Sequence, residues 1–149
     1  MKNEIKYNIG TATEMDVASH LTSCNSLFVP PLSQKLTIKD YAKKIVENSV
    51  TFEAWSREEL VGLVAAYFNN KEEREGYITN VSVVKDFGGQ GIANTLLNNC
   101  IDYAIQNKFV SIALEVTKES NGAIALYLKN NFQQTGTQGE TIKMKNNLT

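Results

Sequence analysis

Apolar residues recur along this chain with two periods, and together these periods predict a sheet covered by helices. Apolar positions three and four residues apart, the spacing of an amphipathic helix, follow Thr13, Thr37 and the glycines at 88–91, and begin again at Ala123. Between them, alternating or continuous apolar runs indicate strands. The predicted order is β-α-α-β-β-β-α-β-α-β-β, an α+β fold in which helices flank a mixed, mostly antiparallel central sheet.

The first third of the chain is predicted to contain one strand and two helices. Residues 5–9 alternate weakly and indicate a short strand. Thr13 and Thr37 each open a sequence with the spacing of a capping box, which predicts helices running to about residue 22 and to residue 48.

The loop between these helices, residues 24–36, is irregular and unusually apolar. It contains both prolines of the chain, Pro30 and Pro31. Two interpretations are open: the loop packs onto the core, or it forms a wall over an acceptor site.

Three consecutive antiparallel strands are predicted in the middle of the chain. Residues 51–55 and 60–68 form a hairpin. The second of these runs is almost entirely apolar, which is typical of a central strand buried on both faces. Residues 77–84 return as the third strand. Because the helix that follows is a crossover, a strand over residues 111–116 is expected to lie parallel to the third strand.

The chain is predicted to end in a short helix and a hairpin. Ala123–Lys129 has helical spacing, and the Asn130–Asn131 pair suits a left-handed helix end. Residues 132–137 and 141–145 then form a closing hairpin. The free edge of that hairpin is a candidate contact surface for a homodimer.

Composition indicates an ordinary globular domain over residues 1–149. Apolar residues make up 42% and charged residues 21%, and the net charge is −1. Lys and Arg are scattered, so neither nucleic acid nor a membrane surface is expected as a partner. Apolar runs fall short of the roughly 20 residues that cross a bilayer. Met1–Gly10 lacks the apolar region of a signal peptide, so a cytoplasmic location is expected.

The cysteines and the single histidine do not suggest a metal site or a catalytic thiol. Cys100 lies on the apolar stripe of the helix after the glycines and is expected to be buried. Cys24 lies near a predicted helix end and is not expected to be a metal ligand or a catalytic thiol. His20 is expected on the helix surface or at the edge of the core. No metal is predicted.

The most informative stretch is Val81–Leu97, in which a strand passes through a glycine cluster into a helix. Gly88, Gly89 and Gly91 allow positive φ, so several N–H groups can converge on one anion. No charged residue occurs from Phe87 to Ile101, although a helix start ordinarily favours acids. This pattern predicts a bound phosphate. The alternative is a tight connection with nothing bound.

Two familiar phosphate motifs fit this stretch poorly. A dinucleotide-binding unit would have a third glycine where Asn94 stands, and it would not follow an antiparallel meander. A P-loop would have Lys followed by Ser or Thr, where this chain has Ile92 and Ala93. A ligand with a pyrophosphate and no metal fits better, and coenzyme A is such a ligand.

Two separated motifs resemble the GNAT superfamily of acyl-CoA-dependent N-acetyltransferases. The first is Val83-x5-Gly-Gln-Gly-Ile-Ala, followed by Leu114-Glu-Val; the second is Ala123-x2-Leu-Tyr-x-Lys-x2-Phe132. The predicted element order is also similar to that fold. Three positions differ from the common family pattern. Gly88 stands where Arg or Gln is common, Ser120 stands where Asn is common, and Asn131 stands where Gly is common. Many relatives also carry an acid on the third meander strand, where this chain has Thr79 and Asn80.

The resemblance implies acetyl-CoA as co-substrate and a set of residues that bind it. The backbone of Val81 and Val83 would bind the pantetheine arm, and the amides from Gly88 to Ala93 would hold the pyrophosphate. The implied coenzyme-binding residues are Val81, Val83, Gly88, Gly89, Gln90, Gly91, Ile92, Ala93 and Asn121.

The resemblance also implies that Tyr127 donates a proton to the departing thiolate. The base is not evident from the sequence. Glu53, Glu115, His20 and a water chain ordered by Thr79 and Asn80 are all candidates. Both glutamates are interpreted first as surface carboxylates at the edge of the sheet.

The implied acceptor site lies against the first two helices and their loop, at Phe28, Tyr41, Thr79 and Asn80. The expected acceptor is the primary amine of a small molecule, such as an amino sugar or an amino acid, which attacks the thioester directly. A domain of the same fold that binds acyl-CoA as a sensor or interaction module, without catalysis, is the alternative.

Overall fold

The computed structural model describes residues 4–148 and contains one seven-stranded sheet with helices on both faces. Residues 1–3, part of the segment expected to lack a signal peptide, lie outside the described range. The strands are β1 (Ile5–Ile9), β2 (Val50–Ser56), β3 (Glu59–Asn70), β4 (Glu75–Val83), β5 (Ser111–Thr117), β6 (Gln133–Gln138) and β7 (Thr141–Asn147). The helices are α1 (Glu14–Cys24), α2 (Ile38–Asn48), α3 (Ile92–Gln106) and α4 (Asn121–Lys129).

The strand order across the sheet is β1-β2-β3-β4-β5-β7-β6. Every neighbouring pair is antiparallel except β4 and β5, which run parallel on either side of the α3 crossover. The element order and the mixed, mostly antiparallel sheet are therefore confirmed. The closing hairpin is also present, and its strand β6 forms one edge of the sheet.

Two apolar clusters cover opposite faces of the sheet. On β3, Leu63 packs in the cluster that contains α1 and α2 residues, whereas its neighbour Val64 packs in the cluster that contains α3 residues. Adjacent side chains of a strand point to opposite faces. A strand covered on both faces therefore requires the continuous apolar run that the sequence shows, and burial of each such side chain contributes about 1.5–3 kcal/mol.

Close packing of α3 on the sheet depends on Gly62 of β3. A Cβ at this position would lie 2.8 Å from Ile92 Cγ2 and 3.1 Å from Leu96 Cδ1. The missing side chain lets the first turn of α3 rest directly against the centre of the sheet. The start of the helix is thereby held in place by packing.

One of the two predicted capping boxes is present and the other is wrong. The Thr13 hydroxyl accepts from the Asp16 N–H at 3.2 Å, and the Thr13 N–H donates to the Asp16 carboxylate at 2.9 Å. Helix α2 does begin after Thr37, but the Thr37 side chain makes no capping bond. The backbone differs at the two positions, with ψ of 117° at Thr37 and 169° at Thr13, so a shared sequence spacing gives different cap geometry.

Candidate functional site

The sheet splits between β4 and β5. These strands pair over only four residues each, from Glu75 with Ser111 to Ile78 with Leu114. Beyond that point β4 stays paired with β3 and β5 stays paired with β7. A wedge-shaped opening therefore lies between the two central strands of the sheet.

The main chain of β4 has a free edge that faces this opening. Val84 N–H donates to the Val61 carbonyl of β3 at 2.9 Å. Because successive residues of a strand direct their backbone groups to alternate sides, Val83 and Val81 direct theirs away from β3. These are two of the residues for which coenzyme binding was predicted. An extended ligand chain can pair with them as an added strand does.

Thr79 forms a bulge in β4 at the start of the split. Ile78 and Asn80 lie opposite adjacent residues of β3, so Thr79 has no partner of its own there. In a regular strand the side chains of Ile78 and Ser82 would lie on the same face, but the extra residue places them on opposite faces. Ile78 packs in the α3-side core, whereas Ser82 points to the other face and meets His20 of α1. The bulge therefore turns Asn80 and Ser82 toward the side of α1.

A cavity of about 610 Å³ fills the split. Its wall comes from the α1–α2 loop, the diverging ends of β4 and β5, and the start of α4. The lining residues are 27–30, Leu32 and Lys35 of the loop, 79–81 of β4, 115–117 of β5, and 119–123 with Tyr127. The apolar loop over residues 24–36 thus forms a wall of the cavity, and it also packs on the core through Phe28 and Leu32.

Helix α3 begins without any capping side chain. Its N-cap is Gly91, with φ of 80°, and its first turn has no acid. Gly89 also has positive φ, at 74°, and a Cβ at either glycine would meet nothing within 4 Å. The first N–H groups of a helix have no partner within it, so those from Gly91 to Asn94 are available to an anion in open space.

Gly89 and Gly91 adopt the positive φ that glycine allows, whereas Gly88 does not. Gly88 has φ of −67° because it ends a 3₁₀ turn over Lys85–Phe87, in which its N–H donates to the Lys85 carbonyl at 3.1 Å. That amide is engaged, unlike those that follow it. The local turn, invisible in the glycine pattern, decides which glycines adopt the left-handed conformation.

Tyr127 reaches the cavity from the buried face of α4. Its side chain is 6% exposed and packs against Phe132, with ring centroids 5.8 Å apart. Burial raises the pKa of its phenol well above the ordinary value of 10. The hydroxyl is therefore protonated throughout the physiological pH range.

Glu115 lies on β5 at the split and lines the cavity, so it is not a carboxylate at the edge of the sheet. The Tyr77 hydroxyl of β4 lies 3.3 Å from its Oε2. Burial, followed by the nearby Glu115 charge, raises the pKa of Tyr77 to about 12. Glu115 is exposed, as expected of a surface carboxylate. The sequence did not show that it lines a cavity, because the divergence of β4 from β5 leaves no mark in the residue pattern.

Glu53 is fully buried, so its interpretation as a surface carboxylate is wrong. Its carboxylate accepts from the N–H groups of Thr11 and Ala12 and from the side chains of Thr11, Thr51 and Trp55. Burial alone would raise the pKa of Glu53, but these hydrogen bonds together hold it below the ordinary value. Glu53 anchors the segment between β1 and α1 and does not line the cavity.

His20 is also more deeply buried than expected, with 2% of its surface exposed. Its Nδ1 lies 3.1 Å from the Leu60 carbonyl oxygen, and its Nε2 lies 2.8 Å from Ser82 Oγ. Burial lowers the pKa of His20 from 6.5 to about 4, although hydrogen bonding to the backbones of Leu60 and Ser82 opposes the shift. The ring is therefore neutral at physiological pH.

The structure brings six of the fourteen predicted site residues to the wall of the cavity, whereas Val83 and residues 88–93 lie outside its lining. Those that line the cavity are Phe28, Thr79, Asn80, Val81, Asn121 and Tyr127. Tyr41 stands behind them, where its hydroxyl donates to the Thr79 carbonyl at 2.8 Å. Leu27 and Val29 belong to the loop for which a wall over the acceptor site was one of the two interpretations. Sequence reasoning missed the wall formed by Thr117 and Glu119, because this segment reads by itself as a strand end and a connection.

The structure of residues 4–148 contains neither a metal-binding cluster nor a helix that could span a membrane. This range contains no group of three or more His, Cys, Asp and Glu side chains placed to hold a metal ion. None of the helices within it has both the length and the apolar character of a membrane span. Both cysteines are buried and free.

Comparisons with solved structures match this architecture. The PaiA N-acetyltransferase of Thermoplasma acidophilum, solved in complex with coenzyme A, superposes with a TM-score of 0.76 over 95% of this chain and 99% of that one. Its sequence identity of 12% makes this a similarity of fold.

Sequence comparisons agree. N-acetyltransferase 8F1 of Rattus norvegicus is 33% identical over 93 residues, which cover 60% of this chain and 42% of the relative. N-alpha-acetyltransferase MAK3 of Arabidopsis thaliana is 28% identical over 110 residues, 72% of this chain and 58% of the relative. The chain thus spans about half the length of these relatives. The model of the acetyltransferase (GNAT) family matches residues 16–132. The chain therefore belongs to the GNAT family of acetyltransferases.

Proposed function

We propose that this chain transfers the acetyl group of acetyl-CoA to the primary amine of a small molecule by direct attack. The observation that carries this proposal is the cavity in the split sheet, where the free edge of β4 meets a carboxylate, Glu115, and a protonated phenol, Tyr127. Acetyl-CoA supplies an activated thioester. The residues around the split supply binding, orientation and proton transfer.

The residues present fit coenzyme A. The backbone of Val81 and Val83 faces the opening and can pair with the amide groups of an extended pantetheine arm. The uncapped amides from Gly91 to Asn94 lie just beyond the end of that strand, beside open space, as a pyrophosphate requires. Asn121, at the cavity wall, is a further proposed contact.

Glu115 is the proposed general base. An ammonium group must lose a proton before its nitrogen can attack, and Glu115 is the strand carboxylate that lines the cavity. Glu53 holds a different loop, and His20 directs its Nε2 to Ser82. Glu119 also lines the cavity, but from the connection before α4.

Tyr127 is the proposed general acid. Its hydroxyl donates a proton to the sulfur as the carbon–sulfur bond breaks, and its raised pKa keeps that proton in place until then. The nitrogen of the ammonium loses two protons in all. One passes through Glu115 to solvent and the other replaces the proton that Tyr127 gave, so the reaction balances.

The size of the cavity favours a compact acceptor. Its 610 Å³ must also hold the thioester end of the coenzyme, which leaves room for a small amine. Phe28, Pro30 and Leu32 offer an apolar wall, and Thr79 with Asn80 offers polar groups opposite. An amino sugar or an amino acid fits this combination.

The free N-terminus of a polypeptide is a second candidate acceptor. Leu27 and Val29, at the rim of the cavity, are 48% and 44% exposed, so an apolar side chain of a longer substrate can rest there. The Arabidopsis relative is named an N-alpha-acetyltransferase. Two acceptor classes therefore need to be compared directly.

The test is thiol release from acetyl-CoA in the presence of a panel of amines. We expect saturable turnover with amino sugars or amino acids, and a Tyr127→Phe variant with kcat lower by about 100-fold or more, since general acid catalysis contributes 10²–10⁴. Leu128→Ala, at an exposed neighbouring position of α4, is the matched control and should leave kcat unchanged.

Other outcomes discriminate among the alternatives. Turnover confined to peptides with a free N-terminus would replace the small-molecule acceptor with a polypeptide one. No turnover with any amine, together with calorimetric binding of coenzyme A, would favour the non-catalytic binding domain. A Tyr127→Phe variant as fast as the unmodified protein at every pH would remove Tyr127 from the mechanism.

A further inference from the structure

A row of buried polar side chains connects α1 with the wall of the cavity. His20 Nε2 lies 2.8 Å from Ser82 Oγ, and Ser82 Oγ lies 2.8 Å from the amide oxygen of Asn80. The Asn80 side chain also lies near the Tyr41 hydroxyl, which hydrogen-bonds the carbonyl and hydroxyl oxygens of Thr79. All five of these side chains can reverse the direction in which they donate, so the position of one hydrogen influences the others.

The Leu60 carbonyl determines which nitrogen of His20 carries the hydrogen. A carbonyl oxygen can only accept, so Nδ1, 3.1 Å away, must donate. The ring is 2% exposed and its pKa is lowered to about 4, so it carries one hydrogen at neutral pH. Nε2 therefore presents a lone pair to Ser82.

The Ser82 carbonyl is a second acceptor near the ring. Within residues 4–148, however, the ring's contacts to oxygen at hydrogen-bond length are those to the Leu60 carbonyl and the Ser82 hydroxyl, so Nδ1 remains the donor. Cys24 Sγ lies 3.8 Å from Nε2, farther than the Ser82 hydroxyl, and a thiol is a weak donor. Asp16 is engaged in the cap of α1. Glu58 and Glu59 share a surface hollow with His20, but among residues 4–148 neither forms a hydrogen bond or salt bridge with the ring.

The lone pair on Nε2 sets the direction of the next two bonds. Ser82 has one hydroxyl hydrogen, and once it points to His20 only oxygen lone pairs face Asn80. In the structure the Asn80 amide oxygen lies at that contact, which would place two acceptors against each other. A half-turn of the amide exchanges two groups of nearly equal size and lets the NH₂ group donate to Ser82. The amide oxygen then faces Tyr41.

With this direction, the cavity end of the row has more acceptors than donors. The hydroxyls of Tyr41 and Thr79 contribute one hydrogen each. These two hydrogens are shared among both hydroxyl oxygens, the Thr79 carbonyl and the Asn80 amide oxygen. Thr79 and Asn80 both line the cavity, as does Glu115. A protonated primary amine brings three N–H donors and is the complement of such a wall.

We propose that His20 and Ser82 orient the Asn80 amide so that the wall formed by Tyr41, Thr79 and Asn80 presents acceptors to the cavity, and that the amino group of the acetyl acceptor binds there. This rests on the proposed function, which it extends to the site of amine recognition. His20 and Ser82 are positioning residues in this scheme, and Asn80 with Thr79 contacts the amine.

Nitrogen-15 NMR of the imidazole tests the direction of the row without any substrate. His20 is the single histidine of the chain, so one ring gives the signals. We expect a neutral ring at pH 7 with its hydrogen on Nδ1. A hydrogen on Nε2, or on both nitrogens, would reverse the row and overturn the proposal, whether or not the protein turns over acetyl-CoA.

Substitutions of Ser82 test the effect on amine binding. Ser82→Ala interrupts the row, and we expect the KM for the amine to rise about 10-fold, the loss from one buried hydrogen-bond partner, while kcat and the affinity for coenzyme A stay within about twofold. Ser82→Thr keeps the hydroxyl and should restore the KM. Ser19→Ala makes the same substitution at an exposed serine of α1 beside His20 and should leave the KM unchanged.

The alternative outcomes separate this proposal from the proposed function. Equal amine KM values for Ser82→Ala and Ser82→Thr, compared at matched folded fraction by calorimetry, would show that the row is merely structural. Unmodified protein that acetylates no amine would contradict the proposed function instead, and the imidazole spectrum would then decide the direction of the row.

Discussion

The two sides of the proposed site are built in different ways. The side proposed for the coenzyme, formed by the free edge of β4 and the start of α3, offers main-chain groups, and no charged residue occurs from Phe87 to Ile101. The side proposed for the acceptor, formed by the α1–α2 loop, Thr79, Asn80 and Glu115, offers side chains from segments far apart in sequence. A site made of backbone needs only a local conformation, whereas a site made of side chains needs the whole fold.

Glu53 and Glu115, the two glutamates considered as general bases, show a similar contrast between a residue that serves the fold and one that faces the proposed site. Glu53 is completely buried and accepts five hydrogen bonds, so it serves the fold. Glu115 lines the cavity with the Tyr77 hydroxyl nearby, so its carboxylate is accessible to a substrate. Being on a strand next to apolar residues does not distinguish them; their positions relative to the split do.

The largest effect is expected from Glu115→Gln on the acceptor side. The amide keeps the size of the carboxylate but cannot take a proton, so kcat should fall by about 10²–10⁴-fold near pH 7 and recover in part as rising pH deprotonates the amine. Steady-state kinetics across a pH series measures this. Glu53→Gln is the matched control: it should lower the melting temperature and leave kcat per folded molecule unchanged. Full activity in Glu115→Gln would assign the base elsewhere.

An intermediate effect is expected when the pH is lowered, because protonation of His20 on the acceptor side lowers the stability of the fold. The His20 pKa is 6.5 as a free group and about 4 when folded, so between these values the unfolded chain binds a proton that the folded protein does not. Stability should therefore be complete above pH 6.5 and fall toward pH 4, by about 3 kcal/mol from this group. Urea unfolding across that range measures it. His20→Gln, which does not titrate, should show a shallower decline; parallel curves would contradict the assignment.

The smallest effect is expected from Gly91→Ala on the coenzyme side. A Cβ at φ of 80° costs about 1–2 kcal/mol, and relief of that strain would move the amides at the start of α3. Affinity for coenzyme A, measured by calorimetry, should fall about 10-fold with little change in the amine KM. Gly136→Ala, at an open position with ordinary φ, should change neither. If Gly91→Ala raised the amine KM and left the affinity for coenzyme A unchanged, the distinction between the two sides would be contradicted.

Much of the fold, and the glycine turn at the start of α3, could be predicted because the signals are local. The apolar periods gave the element order, and the glycines between a strand and a helix indicated an anion site at the start of α3. Even there, the 3₁₀ turn over Lys85–Phe87 decided that Gly88 keeps a negative φ. Capping showed a similar limit, since Thr13 caps α1 and Thr37 does not cap α2.

The environments of His20, Glu53 and Glu115 resisted prediction because they depend on neighbours that are distant in sequence. His20 and Ser82 are 62 residues apart, and Thr11 reaches Glu53 across 42 residues. Burial, and with it the pKa of His20, exists only once α1 has packed on β3 and β4. No window of the sequence contains both members of either pair.

The sequence by itself determined the kinds of element, their order, and the glycine turn that opens α3, because hydrophobic period and left-handed φ are properties of short segments. Only the tertiary structure decided which carboxylate faces the cavity and which is sealed in the core. The physical reason is that pairing between β4 and β5 stops after Ile78, and the direction in which two strands diverge depends on what each one packs against.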